Sequence, residues 1–311
     1  MHFCTFLLIA CCFWTLSRAA HWSYPSEENS FLKWGGLCDK GSRQSPINLS
    51  LREARNVSGG RLQLRNYYEP QRTLIMVNNG HTISLSGFDQ GLTLSGGFLK
   101  NPYVLEQLHL HWGSEHTLNG IRYPLEGHFV HRNTLYPNLK TAMNYKDGIA
   151  VIGVLYHESS EKNYAFDSII RNLGDVQPYK MLDQPVPLVG SLLLAFLIPS
   201  MSNYYTYAGS LTTPSCAESV TWIVPTETYP VKLGQVNMFR QIEYEKEKKL
   251  SNNYRELQSK GDRDVLLVSR ASGPARLTVP VFLILPFVLA NWKFRSNDNI
   301  FIGRMLEIKF L

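Results

Sequence analysis

The sequence predicts a mainly β fold of the α+β class, built on one large, twisted, mostly antiparallel central sheet with a few peripheral helices. Three observations carry this. Short segments of alternating or β-branched apolar residues recur along the chain, turn-rich pieces such as "SGG" and "NNG" separate several of them, and helical periodicity is confined to two stretches. The strand segments, in order, are "RTLIMVNN" (72–79), "HTISLSGF" (81–88), "LEQLHLHWG" (105–113), "LEGHFVHRN" (125–133), "GIAVIGVLYH" (148–157), "SVTWIVP" (219–225) and "DVLLVSR" (264–270). Helical patterning is limited to "NYAFDSIIRNL" (163–173) and "GQVNMFRQIEYEK" (234–246).

With 311 residues, 44% hydrophobic and 18% charged, the chain can bury a large core. The formal charge of +6 falls to +3 once Arg18 and the net two positive charges of residues 293–311 are set aside. No basic cluster interleaves with aromatics, so a nucleic-acid partner is not expected.

The first residues, "MHFCTFLLIACCFWTLSRAA", hold an apolar core from Phe3 to Leu16, with Ser17 and Ala19 at the −3 and −1 positions of a cleavage site. This predicts a signal peptide over 1–19 and an extracellular product, the run being short for a bilayer. Cleavage removes Cys4, Cys11 and Cys12 and leaves Cys38 and Cys216. In an exported chain these two either form one disulfide or stay as buried thiols. The sequons at Asn48 and Asn56 fit the same compartment as N-glycosylation sites.

Residues 20–270 contain no composition break and are expected to form one domain. The tail, 271–311, differs: residues 277–292, "LTVPVFLILPFVLANW", carry no charge, and Lys293 and Arg295 follow. Sixteen residues with two prolines are short for a spanning helix, and the chain runs on where a lipid-anchor signal normally ends. The expectation is a membrane tether through 277–292, as an anchor signal or a membrane segment.

The chemistry centres on "EQLHLHWGSEH" (106–116). In a strand, Gln107, His109 and His111 share one face while Leu108, Leu110 and Trp112 share the other. "LEGHFVH" supplies Glu126, His128 and Val130 on one face of a second strand. Three neutral imidazoles with no fourth protein ligand describe a catalytic Zn2+ site. Gln107 and Glu126 each precede a ligand by two residues, which suits them to accept the outer N–H of His109 and His128.

These segments, with "RQSPINL" (43–49), "VNNGHTISL" (77–85), "LHLHWGSEHTLNG" (108–120), "YAGSLTTPSCAESVTWIV" (207–224) and "NNYREL" (252–257), make the chain resemble the α-class carbonic anhydrases of the extracellular type through nearly the whole of 20–270. The resemblance implies the α-carbonic anhydrase fold. It also implies zinc-dependent, reversible hydration of carbon dioxide to bicarbonate and a proton, by zinc-hydroxide attack with a histidine shuttle. It assigns zinc to His109, His111 and His128, and the orientation of the nucleophile to Thr212, donating in turn to Glu115. The substrate pocket falls to Val130, Val151, Leu211, Thr213 and Trp222, the proton shuttle to His81 and the ordering of its waters to Tyr24. Cys38 and Cys216 match positions bridged in extracellular members. His116 and His131 read as structural, and no motif covers His157. Glu256, Ser215 and Ala208 depart from residues common in the family, at the rim of the site, where they bear on inhibitor affinity more than on activity. Members that have become binding modules lack zinc histidines, and all three are present here.

Overall fold

The computed structural model describes residues 22–24, 33–89 and 91–270. All of them lie in one compact unit, Met1–Ala271. The expected signal peptide with Cys4, Cys11 and Cys12, and the tail 271–311, lie outside the described residues. Among the described residues, no helix is long and apolar enough to cross a membrane.

Thirteen strands join one mixed sheet. They are β1 (Arg55–Gly59), β2 (Leu62–Arg65), β3 (Ile75–Asn78), β4 (Ile83–Ser86), β5 (Thr93–Gly96), β6 (Tyr103–Trp112), β7 (Leu125–Asn133), β8 (Ile149–Glu158), β9 (Val186–Pro187), β10 (Asn203–Gly209), β11 (Val220–Pro225), β12 (Tyr229–Val231) and β13 (Leu266–Arg270). The order is β9-β3-β4-β6-β7-β8-β11-β10-β13-β1, with β12 against β8 and β5 joining β2 to β6. Most neighbours are antiparallel, as expected; β8 runs parallel to β11 and β12, and β13 to β1. A small three-stranded sheet, Asn48–Leu49, Thr117–Leu118 and Ile121–Arg122, lies apart from it.

The central strands are buried on both faces, which is why β8 reads as a continuous apolar run. Its Ala150, Ile152, Val154 and Tyr156 enter one hydrophobic cluster, and Ile149, Val151 and Leu155 enter another. On β6, Leu108, Leu110 and Trp112 fill the first cluster, leaving the opposite face to Gln107, His109 and His111. The sheet is thus a partition between a packed core and a chemically equipped face.

All seven expected strands form. The clearest omission is β10, "NYYTYAG", whose apolar positions are tyrosines and so give little hydropathic alternation. The first helical stretch forms a 3-10 turn, Tyr164–Phe166, and then a helix, Asp167–Asn172. The second expectation was too long. The helix is Leu233–Phe239, and the chain then forms a hairpin from Glu243–Glu245 and Lys248–Lys249. Ile242 leaves the helical path to reach the core, and its carbonyl accepts from Leu250 N at 2.8 Å.

Candidate metal centre

β6 and β7 are antiparallel neighbours whose register pairs His128 with His109 and Glu126 with His111. The H-x-H of one strand and the lone histidine of the next therefore converge, and one ring nitrogen from each of the three lies within 4.8 Å of the others. His111 and His128 are buried and His109 is half-buried.

The outward nitrogens are all engaged by acceptors. His109 Nδ1 faces Gln107 Oε1 at 3.1 Å, His111 Nδ1 the Asn253 carbonyl at 2.6 Å, and His128 Nε2 the Glu126 carboxylate at 2.8 Å. An uncharged imidazole that donates from one nitrogen presents a lone pair at the other. Three lone pairs, on His109 Nε2, His111 Nε2 and His128 Nδ1, thus face one another. The first and third are 3.2 Å apart with no proton to share, and His111 Nε2 is buried without any hydrogen-bond partner. Burial, then the neighbouring histidines, hold His109 well below the ordinary histidine range; burial likewise lowers His111 against the pull of Glu115. This donor set fits a tetrahedral cation that takes three nitrogens and keeps one position open.

The carboxylate behind His128 is built in. Glu126 Oε1 also meets His116 Nδ1 at 2.8 Å, and Oε2 accepts from His116 N at 2.8 Å. Burial pushes its pKa up, but His116 and His128 outweigh that and hold it well below the usual range. Gly153 stands opposite His128 on β8, and a Cβ there would come within 2.9 Å of Glu126 Oε1. Glycine leaves room for the carboxylate.

Register also builds an apolar wall. Val130 pairs with Val151, and Val151 with Trp222, so the three form one row across β7, β8 and β11. All three are buried, Leu211 packs against their cluster, and the Trp222 and His128 rings are 4.8 Å apart. Thr212 is buried and Thr213 half-buried in the loop between β10 and β11.

One expected contact is absent. Glu115 Oε1 accepts from Arg255 N at 2.9 Å, whereas Oε2 has no hydrogen-bond partner, so the donation expected from Thr212 is not formed. Oε2 instead leans towards the imidazoles, 3.6 Å from His111 Nε2 and 3.9 Å from His128 Nδ1. His81 is half-buried and stacks on Trp22, centroids 3.7 Å apart and rings 9° from parallel, with Tyr24 edge-on at 6.3 Å. Burial and the charge of Glu115 raise the Tyr24 phenol well above its ordinary range, so it stays protonated.

Sequence reasoning missed Asn253. Its carbonyl holds His111, its Oδ1 accepts from Trp112 N at 2.7 Å, and its Nδ2 donates to the carbonyls of His81 (3.0 Å) and Leu110 (2.9 Å). It lies within "NNYREL", but nothing in that loop's pattern points to a strand more than a hundred residues away. The next turn carries Arg255, whose guanidinium donates to Gln44 Oε1 and to the carbonyls of Ser45 and Cys38. Cys38 and Cys216 form a disulfide, Cα atoms 5.0 Å apart. Asn48 is half-buried, its Oδ1 accepting from Thr117 and Gly120, while Asn56 is exposed on β1.

Residues 26–269 match the family model of the eukaryotic-type carbonic anhydrases. Among similar proteins, the chain is 38% identical over 239 residues to carbonic anhydrase 5A, mitochondrial, of Homo sapiens, covering 72% of this chain and 76% of that one. It is 32% identical over 286 residues to carbonic anhydrase 4 of Oryctolagus cuniculus, covering 85% and 89%. To carbonic anhydrase 6 of Bos taurus it is 34% identical over 238 residues, covering 72% of each.

Proposed function

The chain belongs to the eukaryotic-type carbonic anhydrase family and is an enzyme of that kind, and from this premise we propose that it hydrates carbon dioxide on a zinc ion held by His109, His111 and His128. The observation that carries the ligand set is the convergence of three imidazole lone pairs whose outer nitrogens are all bound to acceptors. When bound, zinc supplies the Lewis acidity that makes water a nucleophile near neutral pH.

The protein's own groups do the rest. Gln107, Asn253 and Glu126 fix the ring tautomers. Val130, Val151, Leu211 and Trp222 offer carbon dioxide an apolar surface beside the nucleophile, and Thr213 would contact the product bicarbonate. Thr212 and Glu115 orient the nucleophile, with the Thr212 hydroxyl donating to the Glu115 oxygen left without a hydrogen-bond partner in the arrangement described. His81 takes the released proton and passes it to buffer.

The disulfide supports an oxidising compartment, and with the expected signal peptide it favours an extracellular enzyme. Residues 277–292 would tether it to the outer membrane face, and Asn56 is the sequon with an exposed side chain. Stopped-flow hydration by the secreted protein, with metal content measured before and after chelation, tests the core of the reading. One zinc per chain and activity lost with it are expected; full activity without metal would end the proposal. His81→Ala should slow maximal hydration in weak buffer by about tenfold or more, and added imidazole should restore it.

A further inference from the structure

Two grooves flank the 3-10 turn Leu194–Leu197, and neither shares a residue with the histidine cluster. The first, of about 560 Å³, is lined by Arg61, Arg65, Tyr68, Ala195, Ile198 and Met201 among others. The second, of about 540 Å³, is lined by Lys162, Tyr164, Leu193, Phe196 and Tyr229 among others. Ala195 lines the first groove and Leu193 and Phe196 line the second, while Ala195 N donates to the Tyr67 carbonyl at 3.0 Å, so the grooves adjoin at this turn. That face presents three large rings to solvent: Tyr68 and Tyr164 at 75% exposure each and Phe196 at 56%.

The cations are arranged to match. Arg61 and Arg65 are exposed at either end of β2, which among the described residues pairs only with β5 and is therefore an edge. Charged edges guard against strand pairing, but that duty does not call for exposed aromatic rings beside them. Lys162 lies over the Tyr164 ring at 5.3 Å and pairs with Asp167 at 2.7 Å.

The chain ends its described course at this place. β13 runs parallel to β1 with Arg270 in register with Gly59, and Gly59, Gly60 and Val268 all line the first groove. Only residues 271–276 separate Arg270 from the uncharged run that starts at Leu277. Six residues span at most about 20 Å.

Resting on the reading that 277–292 tethers the enzyme, we propose that this face lies against the phospholipid headgroups of the membrane that carries the tether. The rings of Tyr68, Tyr164 and Phe196 would sit at the interface, as aromatic residues do. The guanidinium groups of Arg61 and Arg65 would meet headgroup phosphates. The tether keeps the groove side within reach of the membrane, and the histidine cluster shares none of the surface so covered.

The test is amide hydrogen exchange on the full-length zinc enzyme, with vesicles of phosphatidylcholine. Three proteins are compared: the natural chain, Arg61→Glu/Arg65→Glu, and a tail variant, Ile284→Asp/Val288→Asp. The proposal expects slowed exchange over 61–68 and 193–201, weakened at least about tenfold by the arginine reversals, with carbon dioxide hydration unchanged as the check on folding. Association without slowed exchange in those segments overturns the face and leaves the tether standing. Slowed exchange that persists undiminished in the tail variant supports the face and removes the tether. No association of the natural chain overturns both.

Discussion

His128 and His131 lie three residues apart on β7 and are both buried, yet they do opposite things. His131 faces the cluster that holds Phe129. Its Nε2 meets the Tyr67 hydroxyl at 2.5 Å and its Nδ1 the Ala150 carbonyl at 3.2 Å, so both nitrogens are matched. His128 has one nitrogen on Glu126 and the other turned to the lone pairs of His109 and His111. His116 belongs with His131, since Nδ1 meets Glu126 and Nε2 meets the Tyr207 hydroxyl at 2.6 Å. His116, Glu126 and His128 also lie within coordinating distance of one another, but Glu126 Oε1 is shared between the two rings as an acceptor and the set is closed. Burial does not separate a binding histidine from a structural one. The number of matched nitrogens does.

The largest effect expected from this difference comes from replacing each histidine in turn with alanine. His128→Ala should lose zinc and lower hydration by more than about a hundredfold, beyond the range usual for groups that only support a ligand. His131→Ala should keep its zinc and instead lose stability, because Tyr67 is left buried without a partner. Metal analysis and urea unfolding of both variants check this; zinc retained by the first, or lost by a folded second, would erase the distinction.

Acid should act on the matched histidine next most strongly. Burial lowers His131 from 6.5 to about 4. The unfolded chain therefore binds more protons between these values, so the contribution is intact above about pH 6.5 and is lost as pH falls towards 4, a change of about 3 kcal/mol. Glu126 is also depressed, but a depressed carboxyl loses its contribution only below about pH 4.3, at the acid edge of that window. Urea midpoints should fall from pH 7 to pH 4, and more steeply than in His131→Gln, in which zinc release still occurs and therefore cancels from the comparison. Parallel profiles would remove His131 from the account.

The junction between the two classes is Glu126. Glu126→Gln keeps the shape but weakens the acceptor behind His128, and zinc affinity should fall about 10- to 100-fold, roughly 1.4–2.7 kcal/mol. Competition with a chromophoric chelator measures it. An unchanged affinity would mean that the carboxylate serves His116 alone.

How much of this was legible follows the range of each contact. Gln107 and Glu126 could be paired with their ligands because a strand places i and i+2 on one face. The convergence of β6 and β7 needed only two adjacent strands. Asn253 and Arg255 could not be assigned in that way, because they act across the sheet from an irregular loop, on His111 and on the Cys38 segment. The roles of Thr212 and Glu115 came from resemblance, and the carboxylate's lean towards His111 and His128 was not legible, since it depends on rotamers. The length of the second helix was misjudged because the 3.6-residue pattern continues into a charged hairpin that tertiary pairing claims instead.

The smallest effect belongs to His157, which tests whether the counting of partners is graded. It lies near the end of β8, half-buried, with Nδ1 against Thr228 Oγ1 at 2.8 Å. That contact links β8 to the residue preceding β12, which pairs with the same end of β8. A neutral hydrogen bond of this kind contributes about 0.5–1.5 kcal/mol, and partial exposure lets water replace a lost partner. His157→Ala should therefore cost no more than about 1 kcal/mol in urea unfolding and leave zinc content and hydration unchanged. A loss approaching that of His131→Ala would show that position in the sheet, and not the closure of both nitrogens in a dry core, sets the value of a buried histidine here. A loss of zinc would be more serious, because among the described residues His157 bonds to Thr228 and to none of the three clustered histidines, and the division between binding and structural histidines would have to be abandoned.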